Sequence, residues 1–148
     1  MISRDKTIRY SAKRPNGELM ISHKHWKWFQ PNNHKTEDCV IRAFCKYWDV
    51  DWLTAFDMLV PVARKRQENL GLLLQYADGD ISEVGLKWYS LPAVKGKKRQ
   101  TVESFAKNHP TGRYILRVAS HVVAVVDGFY WDIWESGDCA IYGYWTGD

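Results

Sequence analysis

Three residues of this chain have the types and the spacing for nucleophilic chemistry: Cys39, His121 and Asp132. Cys39 falls in Asn32-Asn33-His34-Lys35-Thr36-Glu37-Asp38-Cys39-Val40-Ile41, at or just inside the first turn of a helix expected to begin there. A helix N-terminus presents unpaired amide N–H groups and the positive end of the dipole, and both favour thiolate, the nucleophilic form, over thiol. The same position suits a small buried apolar cysteine, so this segment alone leaves both readings open. His121 and Asp132 belong to a strand, an Asp127-Gly128 turn and a returning strand. With two residues in the turn, counting outward pairs Val126 with Phe129, Val125 with Tyr130, Ala124 with Trp131, Val123 with Asp132 and His121 with Trp134. His121 and Asp132 then share one face as diagonal neighbours, within reach of a carboxylate-to-imidazole hydrogen bond. Asp127 lies six residues from His121 on the same strand, about 20 Å at strand rise, and cannot orient that ring. In a Cys-His-Asp arrangement the imidazole takes the thiol proton, while the carboxylate fixes the tautomer and stabilises the imidazolium.

That order, Cys39 at a helix start, His121 on a strand and Asp132 on a following strand, resembles the papain-like cysteine peptidases in the broad sense that includes compact microbial and phage-type members. The likeness spans about 110 residues and rests on order and chemical type, with Cys39-Val40 standing where the familiar members have Cys-Trp. The resemblance implies a papain-like fold and a thiol hydrolase of peptide or amide bonds. It also implies an oxyanion-binding amide from Asn33, six residues before Cys39, with Asn32 the alternative on the substrate side. An aromatic shield over the His-carboxylate pair would fall on Trp134, which fits equally well as a packed core aromatic.

Holding a helix-borne thiol against a strand-borne imidazole requires helices packed on a sheet. From Thr36 the spacing is helical, with Val40, Phe44 and Tyr47 on one stripe and Ile41, Cys45 and Trp48 on the next. Asp51 caps a second helical stretch over residues 52–59, and Pro61 is expected to break or kink it before a helical pattern resumes over 62–77. A short helix over 101–108 stops near Pro110, and strands follow over 113–118, 121–126, 129–134 and 140–145. Near the start, Ile8, Tyr10 and Ala12 alternate with polar residues ahead of Pro15-Asn16-Gly17, which reads as a basic β-hairpin within residues 1–30. Helices first and an antiparallel sheet last make an α+β domain spanning residues 1–148.

The 148 residues, 45% hydrophobic and 26% charged, suit one globular core and exclude disorder as the main state. The longest uninterrupted apolar run, 122–126, is far short of a membrane span, and no secretory signal opens the chain. Cys39, Cys45 and Cys139 are an odd number, so reduced thiols and a cytoplasmic location are expected. The net charge of +4 is unevenly spread: residues 1–35 carry +6, and residues 119–148 carry −5 with no Lys or Arg. The basic start, with Ser22-His-Lys-His-Trp26-Lys-Trp28-Phe29, suits an acidic protein partner better than a nucleic acid, because its Trp residues read as packed on the core from a hairpin edge. Lys97-Lys98-Arg99 reads as a solvated loop. His23, His25, His34, Cys39 and Cys45 match no common zinc spacing, and no phosphate-binding glycine loop is present, so neither metal nor cofactor is expected. Two functional classes follow: a cysteine peptidase or amide hydrolase acting on a protein or peptide, or a non-catalytic module of the same fold that binds or inhibits through its basic N-terminal surface. Acyl transfer to an amine would use the same nucleophile and base.

Overall fold

The computed structural model describes residues 25–31, 38–69 and 78–147. They form an α+β structure of three α-helices and a six-stranded mixed sheet. The expected hairpin of residues 8–22 lies outside the described residues, as do Asn32 and Asn33.

Helix α1, Cys39–Trp48, begins where the apolar spacing does and buries Val40, Ile41, Phe44 and Cys45. Asp49 ends it in the left-handed conformation at φ 56°, its N–H returned to the carbonyls of Cys45 and Lys46. Helix α2, Trp52–Arg66, is capped by Asp51, whose carboxylate accepts the Thr54 N–H at 2.8 Å. Of the break or kink expected at Pro61, the break is absent: the helix runs through it. Pro61 removes the N–H that would bond the Asp57 carbonyl, but both residues are on the solvent side, where water can take that carbonyl. The helix then ends at Gln67, φ 55°, earlier than its apolar pattern suggested. Helix α3, Val102–Asn108, carries a reciprocal capping box between Thr101 and Ser104.

The strands are β1 (Trp26–Trp28), β2 (Lys87–Ser90), β3 (Arg113–Val118), β4 (His121–Val126), β5 (Phe129–Asp132) and β6 (Gly143–Thr146), in the spatial order β1-β5-β4-β3-β6-β2. The β4–β5 hairpin has the anticipated register, Val126 opposite Phe129, Val125 opposite Tyr130 and Ala124 opposite Trp131. Asp127 at φ 52° and Gly128 at φ 86° make the two-residue turn. A Cβ on Gly128 would stand 3.2 Å from the Pro110 backbone, so that position needs glycine for space as well as for its dihedrals.

The sheet is mixed, not purely antiparallel: β1 adds to β5 in parallel, Trp26 opposite Tyr130. Trp26–Trp28, within a segment read from sequence as a hairpin edge, therefore meets a strand more than 100 residues away, a pairing that local alternation does not encode. Strand β2 was not anticipated; its alternation is only four residues long. Strand β5 stops at Asp132 rather than Trp134, because the Asp132 carboxylate accepts the N–H of Ile133 and the hydroxyl of Ser136 and bends the chain there.

Strand β4 lies at the centre and is buried throughout. Val122, Ala124 and Val126 pack with α1 and α2 in one core, and Val123 and Val125 pack with α3, Leu116 and Tyr130 in the other. That two-sided burial makes β4 a rigid base for the residue at its first position, His121.

Candidate active site

Cys39 is the first residue of α1, and Asp38 is its N-cap. The Asp38 side chain makes no cap hydrogen bond; it turns away to accept from Arg42 Nη1 at 2.8 Å and from Trp52 Nε1 at 3.0 Å. No capping carboxylate is thus laid on the first-turn amides beside Cys39, where it would oppose a second negative charge.

His121 opens β4, and its Nε2 lies 2.6 Å from Asp132 Oδ2. The Cys39 side chain is near enough to the same ring to raise its basicity. With Nε2 held by the carboxylate, Nδ1 is the nitrogen left to face sulfur. Burial alone would depress the basicity of this ring, which is only 8% exposed. The charge and hydrogen bond of Asp132, with the Cys39 side chain, outweigh that and raise the His121 pKa from 6.5 to about 9.

Asp132 is 1% exposed and fully partnered. Oδ2 also accepts the Ser136 hydroxyl at 2.8 Å, while Oδ1 accepts Arg42 Nη2 at 3.0 Å and the Ile133 N–H at 2.8 Å. Burial pushes its carboxyl up, but the His121 and Arg42 charges and these hydrogen bonds hold it below the usual carboxylate range. Its backbone carbonyl accepts from Trp26 Nε1 and the Phe29 N–H, both at 3.1 Å, so the parallel edge strand locks the site's third member in place. The result is a continuous relay with a buried centre, Trp52 to Asp38 to Arg42 to Asp132 to His121 to Cys39. With His121 protonated, its two carboxylates are balanced by two cations.

Trp134, just past β5, has its ring centroid 5.1 Å from that of His121 at 45° and is 44% exposed. It covers the imidazole from the solvent side and is not a core aromatic. The loop behind it is fixed by Glu135, which accepts the Tyr130 hydroxyl and, at 2.7 Å, the Gly137 N–H.

The other thiols differ in kind. Cys45 is buried in the first core, and burial, with Asp38 and Asp51, pushes it up to about 12. Burial and the nearby Asp132 also raise Cys139. No disulfide joins any of the three cysteines. His25, weighed above as a metal ligand, faces the Gly128 carbonyl at 2.8 Å and Glu103 at 3.6 Å; among the described residues no group of three His, Cys, Asp or Glu side chains could hold a metal. Arg99, expected in a solvated loop, is instead half-buried and donates to the Leu91 carbonyl at 2.9 Å.

Sequence reasoning missed Arg42, Asp38 and Ser136. A signal for the first two existed: an Asp-Arg pair at i, i+4 bracketing Cys39, with the Arg inside an otherwise apolar helical stripe. Ser136 carried none, since its position depends on the bend that Asp132 itself creates. No protein-family model, curated protein or solved structure matches this chain.

Proposed function

We propose that this chain is a papain-like cysteine hydrolase acting on a peptide or amide bond, with Cys39 as nucleophile, His121 as acid and base, and Asp132 orienting His121. The observation that carries the reading is the imidazole held between the Cys39 thiol and the buried Asp132 carboxylate, with the thiol at a helix N-terminus. In the reaction, His121 takes the thiol proton and Cys39 Sγ adds to the substrate carbonyl carbon. First-turn amides of α1 stabilise the oxyanion, aided by Asn33 or Asn32. The imidazolium returns its proton to the leaving amine as the C–N bond breaks, leaving a thioester. His121 then takes a proton from water, whose oxygen attacks the thioester; the acid is released and the thiol restored. An amine in place of water gives acyl transfer. Reduced thiols suit a cytoplasmic setting, and no helix among the described residues is long and apolar enough to cross a membrane.

Chloroacetamide labelling with mass mapping of the three thiols tests this. Cys39 is expected to react first at pH 6, and His121→Ala to abolish the preference. Equal sluggishness of Cys39, Cys45 and Cys139 would overturn the catalytic reading in favour of a binding module.

A further inference from the structure

At the end of the sheet where His121 stands, a groove of about 460 Å³ is lined by Ser90, Arg99, Arg117, Ser120 and Tyr142, with Asp78 the single acid among the described lining residues. Two guanidinium groups lie against one aromatic ring there: Arg99 Cζ is 5.0 Å and Arg117 Cζ 5.3 Å from the centre of the Tyr142 ring. They are therefore no more than about 10 Å apart. Arg99 is fixed by donating to the carbonyls of Leu91 and Ile141, and the Arg117 carbonyl accepts the Tyr142 N–H at 2.9 Å. The adjoining loop adds the exposed Lys95, Lys97 and Lys98. Two guanidinium groups held against one ring, with a single carboxylate among the described lining residues, attract an anion, and a planar guanidinium matches a carboxylate.

The groove starts at Ser120, the residue before His121, and crosses the sheet. Arg117, on β3, is one strand from β4; Ser90, on β2, is three strands away, about 14 Å at the usual spacing. An extended peptide advances about 3.3 Å per residue, so this span corresponds to about four residues of a bound chain. Nucleic acid fits less well, because the lining aromatics are already engaged, Tyr142 by the guanidinium groups and Trp88 by Trp145 at 4.5 Å, and offer no stacking platform.

We infer that this groove is a subsite for acidic side chains of a peptide, selecting Asp or Glu within about four residues of the bond presented to Cys39. The distance from the bond rests on the hydrolase reading; the binding of acidic peptide does not.

The test uses the full chain carrying Cys39→Ala, so that binding is read without turnover. Acetyl-tetraglutamyl-amide, acetyl-tetraglutaminyl-amide and an eight-residue oligothymidylate are titrated at low ionic strength by calorimetry and amide NMR. The glutamyl peptide should bind, shift the Ser90, Ser120 and Tyr142 amides, and lose about tenfold in affinity with Arg117→Gln. Ser120→Asp, an exposed turn position at φ 52° that Asp tolerates, should weaken it similarly by like-charge repulsion without touching the guanidinium groups. The glutaminyl peptide should bind at least about tenfold more weakly. Equal affinity for the two peptides, shifts elsewhere, or indifference to Ser120→Asp overturns the subsite. Tighter oligothymidylate binding at the same amides overturns it in favour of a nucleic-acid site. Chloroacetamide labelling of the wild-type chain is scored separately, so an unreactive Cys39 removes the hydrolase while leaving a demonstrated acidic-peptide site intact.

Discussion

Replacing Asp132 by Asn keeps the side-chain shape and removes the charge that His121 faces. Burial depresses the imidazole, yet Asp132 and Cys39 lift its pKa from 6.5 to about 9. At about 1.4 kcal/mol per pH unit, the folded site favours the imidazolium by roughly 3 kcal/mol. Without the carboxylate charge that gain disappears and burial remains, so the ring should titrate below 6.5 in Asp132→Asn. The Asn amide oxygen still accepts from Arg42, and thermal unfolding checks that the variant is folded. Histidine ring NMR follows the titration directly: His121 should move from near 9 to below 6.5. Alkylation of Cys39 at pH 7.5 should slow on the order of a hundredfold, the equivalent of roughly 3 kcal/mol. A ring still titrating near 9 in the folded variant, or an unchanged alkylation rate, would refute the role given to Asp132.

Arg42→Met leaves the Asp38 and Asp132 carboxylates buried without their shared cation, and urea unfolding at pH 7 should show a loss of roughly 3–5 kcal/mol; a loss below about 1 kcal/mol would mean the two acids do not need it. In Gly143→Ala the added Cβ would meet the Trp88 ring at 2.4 Å and the Tyr89 carbonyl oxygen at 2.7 Å, so thermal unfolding should show a cost of about 1–3 kcal/mol, and an unchanged midpoint would mean β2 and β6 separate easily. The raised His121 pKa stabilises the fold fully below 6.5 and ceases to as pH rises through about 9, so unfolding free energy should fall by roughly 3 kcal/mol across that window in the wild type and far less in His121→Gln.

The parts of this fold that were legible in the sequence are those fixed by short-range geometry. Asp127-Gly128 admits few turn types, a two-residue turn sets the register, and the register alone places His121 and Asp132 on one face. The Cys39 helix start was legible because the apolar period begins abruptly after Asp38. What was not legible depends on partners distant in sequence. The parallel pairing of β1 on β5 joins segments about 100 residues apart, and β2 is identified only by its neighbour β6. Pro61 misled because its penalty depends on whether the Asp57 carbonyl meets water, which follows from the helix's orientation on the core.

Arg42 shows why the site needs more than its three named members. A carboxylate 1% exposed is costly to ionise, and an imidazolium beside it offsets that only while the proton stays. In the proposed reaction His121 gives its proton to the leaving group, and at that moment Asp132 would stand as an uncompensated buried charge. The Arg42 guanidinium at 3.0 Å, with the Ser136 hydroxyl and the Ile133 N–H, keeps Asp132 ionised through that step, so the imidazole can lose its proton without the carboxylate taking one up. Arg42 would itself be excess positive charge without Asp38, and Asp38 can serve it because its carboxylate is not spent on capping α1. The helix that carries Cys39 thereby also carries the counter-ion of Asp132, and Cys39, Arg42 and Asp38 cannot move independently of one another.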